Sequence, residues 1–481
     1  MHDKKLKFIA VLLVLLLGGC SMAPEYQQPP MPVANEFDYR FKGQDGAAET
    51  SLSLDQFADL GFNEIFVDPI LQQLIESALT NNRNLRKTAL TVEDYRARYR
   101  IRRSALLPEV NVDGYGLKQR TLGTNGNTTG EIYSVEAGLT SYELDFYGRI
   151  RNLRDSALEQ YLAMESTHKS AVISLVSEVV SSYLSLLTDR ELLQITRDTK
   201  TIEEDSYDLV NQRVEAGIAN ELDLAQARTS LETAKANTAL YKRQVARDLN
   251  YLIFLTGGGL PDSLGEGENL LQSIAPFVIE SSSLPSDILL RRPDIMAAEH
   301  ELRAANGDIG AARAAFFPTV TLTTSAGYIS PELDDLFDGS SGAWLFAPAI
   351  KLPIFTGGRL KAELDSAEIK KEIAVARYEG AVQAAFREVS DALTGLATYE
   401  EQLVALKANL QANEEYYSRA KDRYHEGVDS FLTLLDAQRS LYGSRQKYLT
   451  LRLDQLNNQI NLYKVLGGGA GKLAKIQAVS R

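Results

Sequence analysis

The sequence predicts an α+β membrane protein in which each chain is an internal duplication that supplies four β-strands and long coiled-coil helices. Three observations lead to this fold class. The same residue pattern recurs after 210 positions, the segments that follow Pro108 and Pro318 alternate apolar and polar residues, and the stretches that begin at Arg149 and Arg359 run far without proline.

The duplication is visible at a constant offset. Gly217 corresponds to Gly427 and Leu222 to Leu432, 210 residues later. Further pairs at the same offset, without any gap, are Asn84 with Asp294, Pro108 with Pro318, Arg149 with Arg359, Asp155 with Asp365 and Gly257 with Gly467. A repeat of this length is too long for the short solenoid repeats, so the chain consists of two copies of one structural unit.

Composition excludes several classes of protein. The hydrophobic content of 44% and the charged content of 24% are those of a folded chain, and the formal net charge of −13 argues against a nucleic-acid partner. His168, His300 and His425 are scattered, and no metalloprotease motif or nucleophile elbow is present. We therefore expect neither an enzyme nor a bound cofactor. The five methionines form no soft-metal ladder, and no metal site is predicted.

The N-terminus is typical of an exported lipoprotein. Residues 1–19 have a lysine-rich head, a short apolar run and small residues before Cys20, which is the only cysteine. The Leu-Gly-Gly-Cys sequence is similar to the lipobox of bacterial lipoproteins, which predicts lipid attachment at Cys20. Ser21 after that cysteine favours the outer membrane in this class of protein. An ordinary signal peptide with a chance cysteine is the alternative.

The remaining chain divides by composition. Residues 20–66 are rich in proline and lack periodicity, which predicts a lipid-anchored extended segment. The first structural repeat spans 67–256, with a helix, two strands and a long helix hairpin, and the second spans 286–466. Residues 257–285, rich in glycine and proline, form a linker, and residues 467–481 form a C-terminal tail.

The strands are recognised by their period of two. In the first repeat, one face holds Tyr133, Val135, Ala137 and Leu139, and the other holds Ser134, Glu136, Gly138 and Thr140. The second repeat shows the same alternation at Val320, Leu322, Trp344, Phe346, Ile350 and Leu352. Polar segments at 121–130 and 330–342 are expected to be the loops between paired strands.

Strands of about ten residues cross a bilayer when tilted. The chain after the signal peptide shows no apolar run that we expect to span a membrane as a helix. Four strands cannot close a barrel, but three chains together supply twelve, which is an allowed closed barrel. Two soluble hairpins packed on helices are the alternative.

The long helices are expected to pair in hairpins. Residues 149–215 and 359–425 would each extend about 100 Å as one helix. The returning helices, near 220–256 and 430–466, have a seven-residue apolar rhythm that favours coiled-coil pairing. Gly217 and Gly427 suit the turns between the helices, and the Ser430 side chain is expected to cap the last helix.

Several motifs together resemble one family. They are the segments 284–295 and 311–318, the turn at 355–359, the tip at 427–439 and the end at 462–469. They resemble the TolC family of outer membrane factors, in particular the lipoprotein branch that includes OprM and CusC, over essentially the whole chain after the signal peptide.

The resemblance implies a homotrimer. Twelve strands would form a β-barrel in the outer membrane, continued by a twelve-helix α-barrel through the periplasm. Such a chain is the outer membrane channel of a tripartite efflux pump that exports drugs or other small toxic compounds. Its partners are a periplasmic adaptor (membrane fusion) protein and an inner-membrane transporter of the RND type.

The resemblance also assigns residues to a gate at the periplasmic end. Leu432 and Asp436, four residues apart on one helix face, are expected to form the constriction as rings in the trimer. Arg439 is the expected partner that restrains the closed state, and protonation of His425 would make closure sensitive to pH. The first repeat has Leu222 and Gln226 at the positions of Leu432 and Asp436.

The hairpin tips, with Gly217, Leu222, Gly427 and Ser430, are the expected docking surface of the adaptor. Export of metal ions or type I protein secretion remains an alternative for the cargo. A more distant alternative is a structural coiled-coil lipoprotein that conducts nothing, which would leave the alternating strands without a purpose.

Overall fold

The computed structural model describes residues 21–37, 60–123, 126–261, 264, 271 and 284–468. The predicted signal peptide and Cys20 lie outside these residues, as do most of the linker and the tail beyond residue 468. The chain forms two compact units. The first, here called the sheet unit, comprises residues 1–30, 90–166 and 296–380, and the second, the helical unit, comprises 31–89, 167–295 and 381–481.

Helices account for most of the described chain, and four strands interrupt them. In chain order the elements are α1 (Phe62–Ile65), α2 (Pro69–Asn81), α3 (Arg83–Ser104), β1 (Val110–Gly123), β2 (Gly126–Leu144), α4 (Arg149–Glu215), α5 (Glu221–Thr256), a 3₁₀ helix (Ser286–Arg291), α6 (Pro293–Ala314), β3 (Thr319–Ser330), β4 (Gly342–Lys351), α7 (Arg359–His425) and α8 (Phe431–Val465).

The sheet unit contains one antiparallel sheet with the strand order β1-β2-β3-β4. β1 pairs with β2 from Val110↔Leu139 onward, and β3 pairs with β4 from Thr319↔Lys351 onward. The outer edges of β1 and β4 have no strand partner among the described residues. The backbone N–H and C=O groups along both edges are therefore left for a further strand.

The register brings most of the large apolar residues of the four strands to one face. Residues directly opposite each other in an antiparallel pair share a face, so the pairings Val112↔Ala137, Ala137↔Ala326 and Ala326↔Trp344 connect the strands in turn. Two-residue steps from these pairs extend the face. Its large members are Val110, Val112, Tyr133, Val135, Leu139, Val320, Leu322, Tyr328, Trp344, Phe346 and Ile350.

This apolar face is uncovered in the single chain. Trp344 is 80% exposed, and Val112 and Ile350 are each 73% exposed. The opposite face is mixed, because it carries Asp113 and Glu136 together with apolar residues such as Tyr115, Ile132 and Leu345. A sheet with one exposed apolar face is the pattern of strands that meet lipid on one side and water on the other.

Two details of the strands differ from the sequence prediction. β1 has 14 residues and β2 has 19, so the pair extends through much of the segment 121–130 that was expected to be a loop. That prediction was wrong because antiparallel pairing depends on backbone hydrogen bonds, which a polar sequence also allows. The second predicted loop agrees, since β3 ends at Ser330 and β4 begins at Gly342.

The segment after the predicted anchor is held by side-chain hydrogen bonds within the sheet unit. The Ser21 hydroxyl donates to Asn152 Oδ1 at 2.9 Å, and Asn306 Nδ2 donates to the Pro24 carbonyl at 2.7 Å. Residues 21–30 contain no helix or strand, as expected for an extended segment. The expectation was wrong further along, where α1 forms one helical turn within 60–66.

The long helices are continuous, with 67 residues in each of α4 and α7. Residues of the predicted heptads face the core of the helical unit, among them Leu231 and Leu252 of α5 and Leu449, Leu456 and Tyr463 of α8. One window of 18 residues in α4 is long and apolar enough to cross a membrane, so the expectation that no such run exists was wrong. Two thirds of that window (67%) is buried inside the protein, which is the packing of a core helix.

Asn82 and Arg292, 210 residues apart, hold equivalent helix ends within the helical unit. Asn82 Nδ2 donates to the Leu255 carbonyl at 2.8 Å, and Arg292 Nη1 donates to the Val465 carbonyl at 3.0 Å. Both acceptors lie at the C-terminal ends of returning helices, where carbonyls lack helical partners. The duplication therefore preserves a contact that ties the start of each repeat to its last helix.

Candidate functional site: the tips of the helix hairpins

The two hairpin turns have the same backbone geometry. Gly217 has φ +74° and Gly427 has φ +77°, and each follows the end of a 67-residue helix. After each glycine, an amide donates back into the preceding helix, from Ile218 to the Arg213 carbonyl and from Val428 to the Arg423 carbonyl, both at 2.8 Å. Glycine is required here because other residues adopt this left-handed conformation at a cost.

The start of the returning helix differs between the repeats. Asn220 Oδ1 accepts a hydrogen bond from the Asp223 amide at 2.9 Å, which is a side-chain cap. Ser430 occupies the equivalent cap position, but its side chain makes no cap hydrogen bond and lies 3.3 Å from Thr433 Oγ1. The prediction that the Ser430 hydroxyl caps α8 was therefore wrong. Its carbonyl instead accepts from the Thr433 amide.

An ion pair closes the second tip only. Arg423 binds Asp429 through two hydrogen bonds, Nε to Oδ2 at 2.6 Å and Nη2 to Oδ1 at 2.8 Å. The hydrogen bond from Arg423 lowers the pKa of the Asp429 carboxyl below its usual value. The first repeat has Ala219 at the position of Asp429, so Arg213 has no such carboxylate.

Arg213 contacts the other hairpin. Its guanidinium lies 4.8 Å from the centre of the Tyr424 ring, within the range of a cation–π interaction. Tyr424 belongs to a buried cluster in which both hairpins meet, with Val210, Ala227, Tyr424, Phe431, Leu434 and Leu435. The Tyr424 and Phe431 ring centres are 5.7 Å apart. The two tips are therefore packed on each other by an apolar core just behind the turns.

The structure places Leu432 and Asp436 on one exposed face of α8. Leu432 is 57% exposed although its neighbours Phe431 and Leu434 are buried. Asp436 accepts a hydrogen bond from the Tyr416 hydroxyl at 3.2 Å. An apolar side chain and a carboxylate, one helical turn apart, thus face away from the core of the chain.

Arg439 does not form the expected ion pair with Asp436 within this part of the chain. Its Nη2 donates to Ser230 Oγ at 3.3 Å, which ties α8 to α5. The two side chains have partners on different helices, since Arg439 contacts Ser230 of α5 and Asp436 contacts Tyr416 of α7. His425 is exposed at the end of α7 beside the Tyr424 ring, with ring centres 6.1 Å apart.

The tip residues expected to meet an adaptor are accessible. Leu222 is 66% exposed, and Ile218 beside it is 76% exposed. Gly217, Gly427 and Ser430 are also exposed in the chain. Exposed apolar side chains at the first tip, together with the exposed turns of both tips, are suited to a protein contact.

Sequence reasoning missed two buried polar residues behind the tips, Glu203 on α4 and Gln438 on α8. They are 4% and 7% exposed. A single Glu or Gln in a long charged helix gives no periodic signal of burial, and the segment that covers each one is distant in sequence.

An exposed apolar strand face on one unit and long helix hairpins on the other define the class of outer membrane channels that extend into the periplasm. The sequence model of the family described as "Outer membrane efflux protein" matches residues 74–258 and 284–468. The second match begins and ends 210 residues after the first, which is the offset of the internal repeat.

Two similar curated proteins come from Pseudomonas putida. "Antibiotic efflux pump outer membrane protein ArpC" is 46% identical over 473 residues, covering 97% of this chain and 96% of the relative. "Toluene efflux pump outer membrane protein TtgC" has the same identity and coverage, 46%, 97% and 96%. Among solved structures, the open state of the Neisseria gonorrhoeae MtrE outer membrane channel aligns with a TM-score of 0.84 and 36% identity, covering 94% of this chain and 99% of that one.

The chain belongs to the outer membrane efflux protein family. It is an outer membrane channel of a tripartite efflux pump, and it functions with adaptor and inner-membrane pump components. The predicted family, function and outer-membrane location are thereby confirmed.

Proposed function

We propose that three copies of this chain form one closed duct. Twelve strands would form the barrel in the outer membrane, and the α4–α5 and α7–α8 hairpins would form a tunnel of twelve helices in the periplasm. The apolar face of the sheet supports this, because it is exposed in the single chain and matches a lipid surface. The open edges of β1 and β4 support it as well, because unpaired backbone groups are not tolerated in hydrocarbon.

Leu432 and Asp436 form the periplasmic gate in this proposal. The observation that carries it is their shared exposure on one face of α8, one turn apart, beside a buried tip cluster. Three copies of Leu432 around an axis would give a dry constriction, and three of Asp436 a ring that attracts cations. Arg439, through its hydrogen bond to Ser230, would hold the second hairpin against the first in the closed state.

The partners follow from the same arrangement. The hairpin tips, with Gly217, Leu222, Gly427 and Ser430, dock a periplasmic adaptor, and the inner-membrane transporter is of the RND type. The names of the relatives ArpC and TtgC, antibiotic and toluene efflux proteins, favour small organic compounds as the cargo. Cys20 anchors the mature chain to the membrane through its lipid.

Single-channel conductance in planar bilayers tests the gate. The native protein should give small, cation-favouring currents, and the Leu432→Ala, Asp436→Ala double variant should give currents several-fold larger. The matched control is the double variant Leu222→Ala, Gln226→Ala in the first repeat, which should leave the conductance near that of the native protein. A large current that the gate substitutions do not alter would refute these gate residues but leave the duct intact.

The same conductance measurement distinguishes a conducting duct from a structural lipoprotein that conducts nothing. Absence of current from either protein, although trimers are verified in the bilayer, would favour the non-conducting structural lipoprotein. The pH sensitivity expected for His425 is tested by recording at about pH 5.5 and about pH 7.5. The His425→Gln variant should lose the difference, and an identical opening equilibrium of the native protein at both values would contradict the proposal.

A further inference from the structure

A cleft of about 280 Å³ lies between α4, α7 and α8, within the helical unit and behind the tip cluster. Its volume is just below the range of about 300–1,000 Å³ of small-molecule sites. Ile202 and Leu441 supply apolar walls, and Tyr417 and Tyr442 supply aromatic ones. Glu203 and Gln438 face into the same cleft. The lining is thus mostly apolar with a few convergent polar groups, as in ligand sites.

The polar groups of this cleft are unsatisfied. Glu203 Oε2 and both polar atoms of the Gln438 amide are buried and have no hydrogen-bond partner among the described residues. Both side chains are more than nine-tenths buried. Each buried polar group without a partner costs about 1–3 kcal/mol, so two such residues facing one cleft need an explanation.

The remaining charged groups of the cleft are already engaged. Arg445 Nη2 lies 3.5 Å from Glu414 Oε1, and the two form an exposed ion pair. Arg439, whose charge acts on Glu203, donates a hydrogen bond to Ser230. A carboxylate with a free acceptor atom therefore remains beside an amide with a free acceptor and free donors.

We propose that this cleft binds a small organic ammonium ion. The N–H groups of the ion would donate to Glu203 Oε2 and to the Gln438 side-chain oxygen, which supplies the hydrogen bonds that these two oxygens lack. Its apolar part would lie against Ile202 and Leu441, and the Tyr417 ring would add a cation–π contribution. Because Glu203 is on α4 and Gln438 is on α8, the bound ion connects the two hairpins of one chain.

The affinity depends on the protonation of Glu203. Burial raises the pKa of this carboxyl to about 7, and the charge of Arg439 opposes that increase. The other titratable groups that face it from the surrounding helices are Glu414, Tyr417, Tyr442 and Arg445. An alkylammonium ion keeps its proton between pH 6 and pH 8, so only the carboxylate fraction changes. That fraction, and hence the affinity, rises about tenfold over this interval.

Isothermal calorimetry on the mature protein in lipid nanodiscs tests the proposal with tryptamine as the probe. We expect saturable binding of one ion per chain at pH 8 and about tenfold weaker binding at pH 6. Tryptophol, which has a hydroxyl in place of the ammonium group, should bind at least tenfold more weakly than tryptamine. The Glu203→Gln variant should lose at least tenfold in affinity for tryptamine.

Glu401→Gln is the matched control, because Glu401 is exposed on α7 and does not line the cleft. The affinity of this variant for tryptamine should stay within about twofold of the native value, since the removed charge lies outside the binding site. Equal binding of tryptamine and tryptophol, unchanged binding in Glu203→Gln, or no saturable binding at pH 8 would each overturn the proposal. If Glu203→Gln fails to assemble, the two probes and the two pH values decide the question on the native protein. Calorimetry does not depend on channel conductance, so its outcome is independent of the gate.

Discussion

Replacement of Arg292 by alanine is expected to destabilise the helical unit strongly. Arg292 is buried, and its guanidinium donates to the Val465 carbonyl, to Asp294 at 2.7 Å and to Glu388 at 2.8 Å. The alanine variant would leave two carboxylates and a helix-end carbonyl without their donor. Loss of one partner from a fully buried ion pair costs about 3–5 kcal/mol. Because the Asp294 and Glu388 carboxylates are 43% and 38% exposed, water offsets part of this cost and we expect about 2–4 kcal/mol.

The duplication supplies a graded comparison. Asn82 makes the equivalent contact in the first repeat with a neutral amide, so Asn82→Ala should cost only about 1–3 kcal/mol. The Arg292→Asn variant places in the second repeat the residue that the first repeat has at the equivalent position, Asn82. It cannot neutralise Asp294 and Glu388, so it should be nearly as destabilising as Arg292→Ala.

The dependence on pH adds a second test of the same reasoning. Burial raises the pKa of Asp294, but the hydrogen bonds and charge of Arg292 more than offset this, and the net pKa lies below its usual value of 3.8. The native protein therefore gains stability from this pair above about pH 4 and loses it as the pH falls further. Without the guanidinium, only backbone hydrogen bonds such as that from the Ile295 amide still oppose the effect of burial, so the pKa of Asp294 rises in Arg292→Ala. The difference in stability between the variant and the native protein should then be larger at pH 7 than at pH 4.

Urea unfolding followed by far-ultraviolet circular dichroism, in detergent at pH 4 and pH 7, measures these differences. Asn82→Ala serves as the control without a titrating partner, and its effect should be the same at both values. A cost below about 1 kcal/mol for Arg292→Ala at pH 7, or one that does not change with pH, would refute the assignment of this buried network.

Three further predictions concern the hairpins. Asn220→Ala should destabilise by about 1 kcal/mol through loss of its cap, whereas Ser430→Ala should have almost no effect; urea unfolding of the two variants compares them directly. Gly427→Ala should cost about 1–2 kcal/mol in the same assay from its positive φ alone, because no atom lies within 4 Å of the added Cβ. Because burial raises the pKa of Glu203 to about 7, the stability of the native protein should fall as the pH rises from 4.5 toward about 7. The Glu203→Gln variant should therefore be stabilised, relative to the native protein, more at pH 8 than at pH 5. An effect on thermal unfolding that is independent of pH would contradict the burial of an unpaired carboxylate.

The sequence was most informative where a physical constraint acts on many residues together. Absence of proline and a seven-residue rhythm predicted the long helices, because helix interiors exclude proline and paired helices bury every seventh position. The alternation around Trp344 and Val135 predicted strand faces, and the register of the sheet then joined them into one apolar surface. The two glycine turns followed from the demand for a positive φ.

Predictions that depended on a single side chain were less successful. The Ser430 hydroxyl and the Arg439 guanidinium each have several acceptors or donors within reach, and the sequence does not rank them. The contacts of Arg292 and Glu203 were missed for a related reason. Arg292 bonds to the Val465 carbonyl, 173 residues away, and Glu203 is buried by helices distant in the chain. Only the tertiary packing reveals such contacts.

The open edges of the four-stranded sheet have a genetic consequence. In the proposed trimer, β1 of one subunit completes its pairing on β4 of the next, so every subunit is required to close the ring. Prolines can be placed in β4 at positions whose amides would bond to the β1 strand of the next subunit, so that this edge cannot pair. Such a chain would still have a normal β1 edge and would enter mixed trimers. Such an allele should behave as dominant over the normal one when both are expressed, whereas an allele that prevents synthesis of the chain should be recessive.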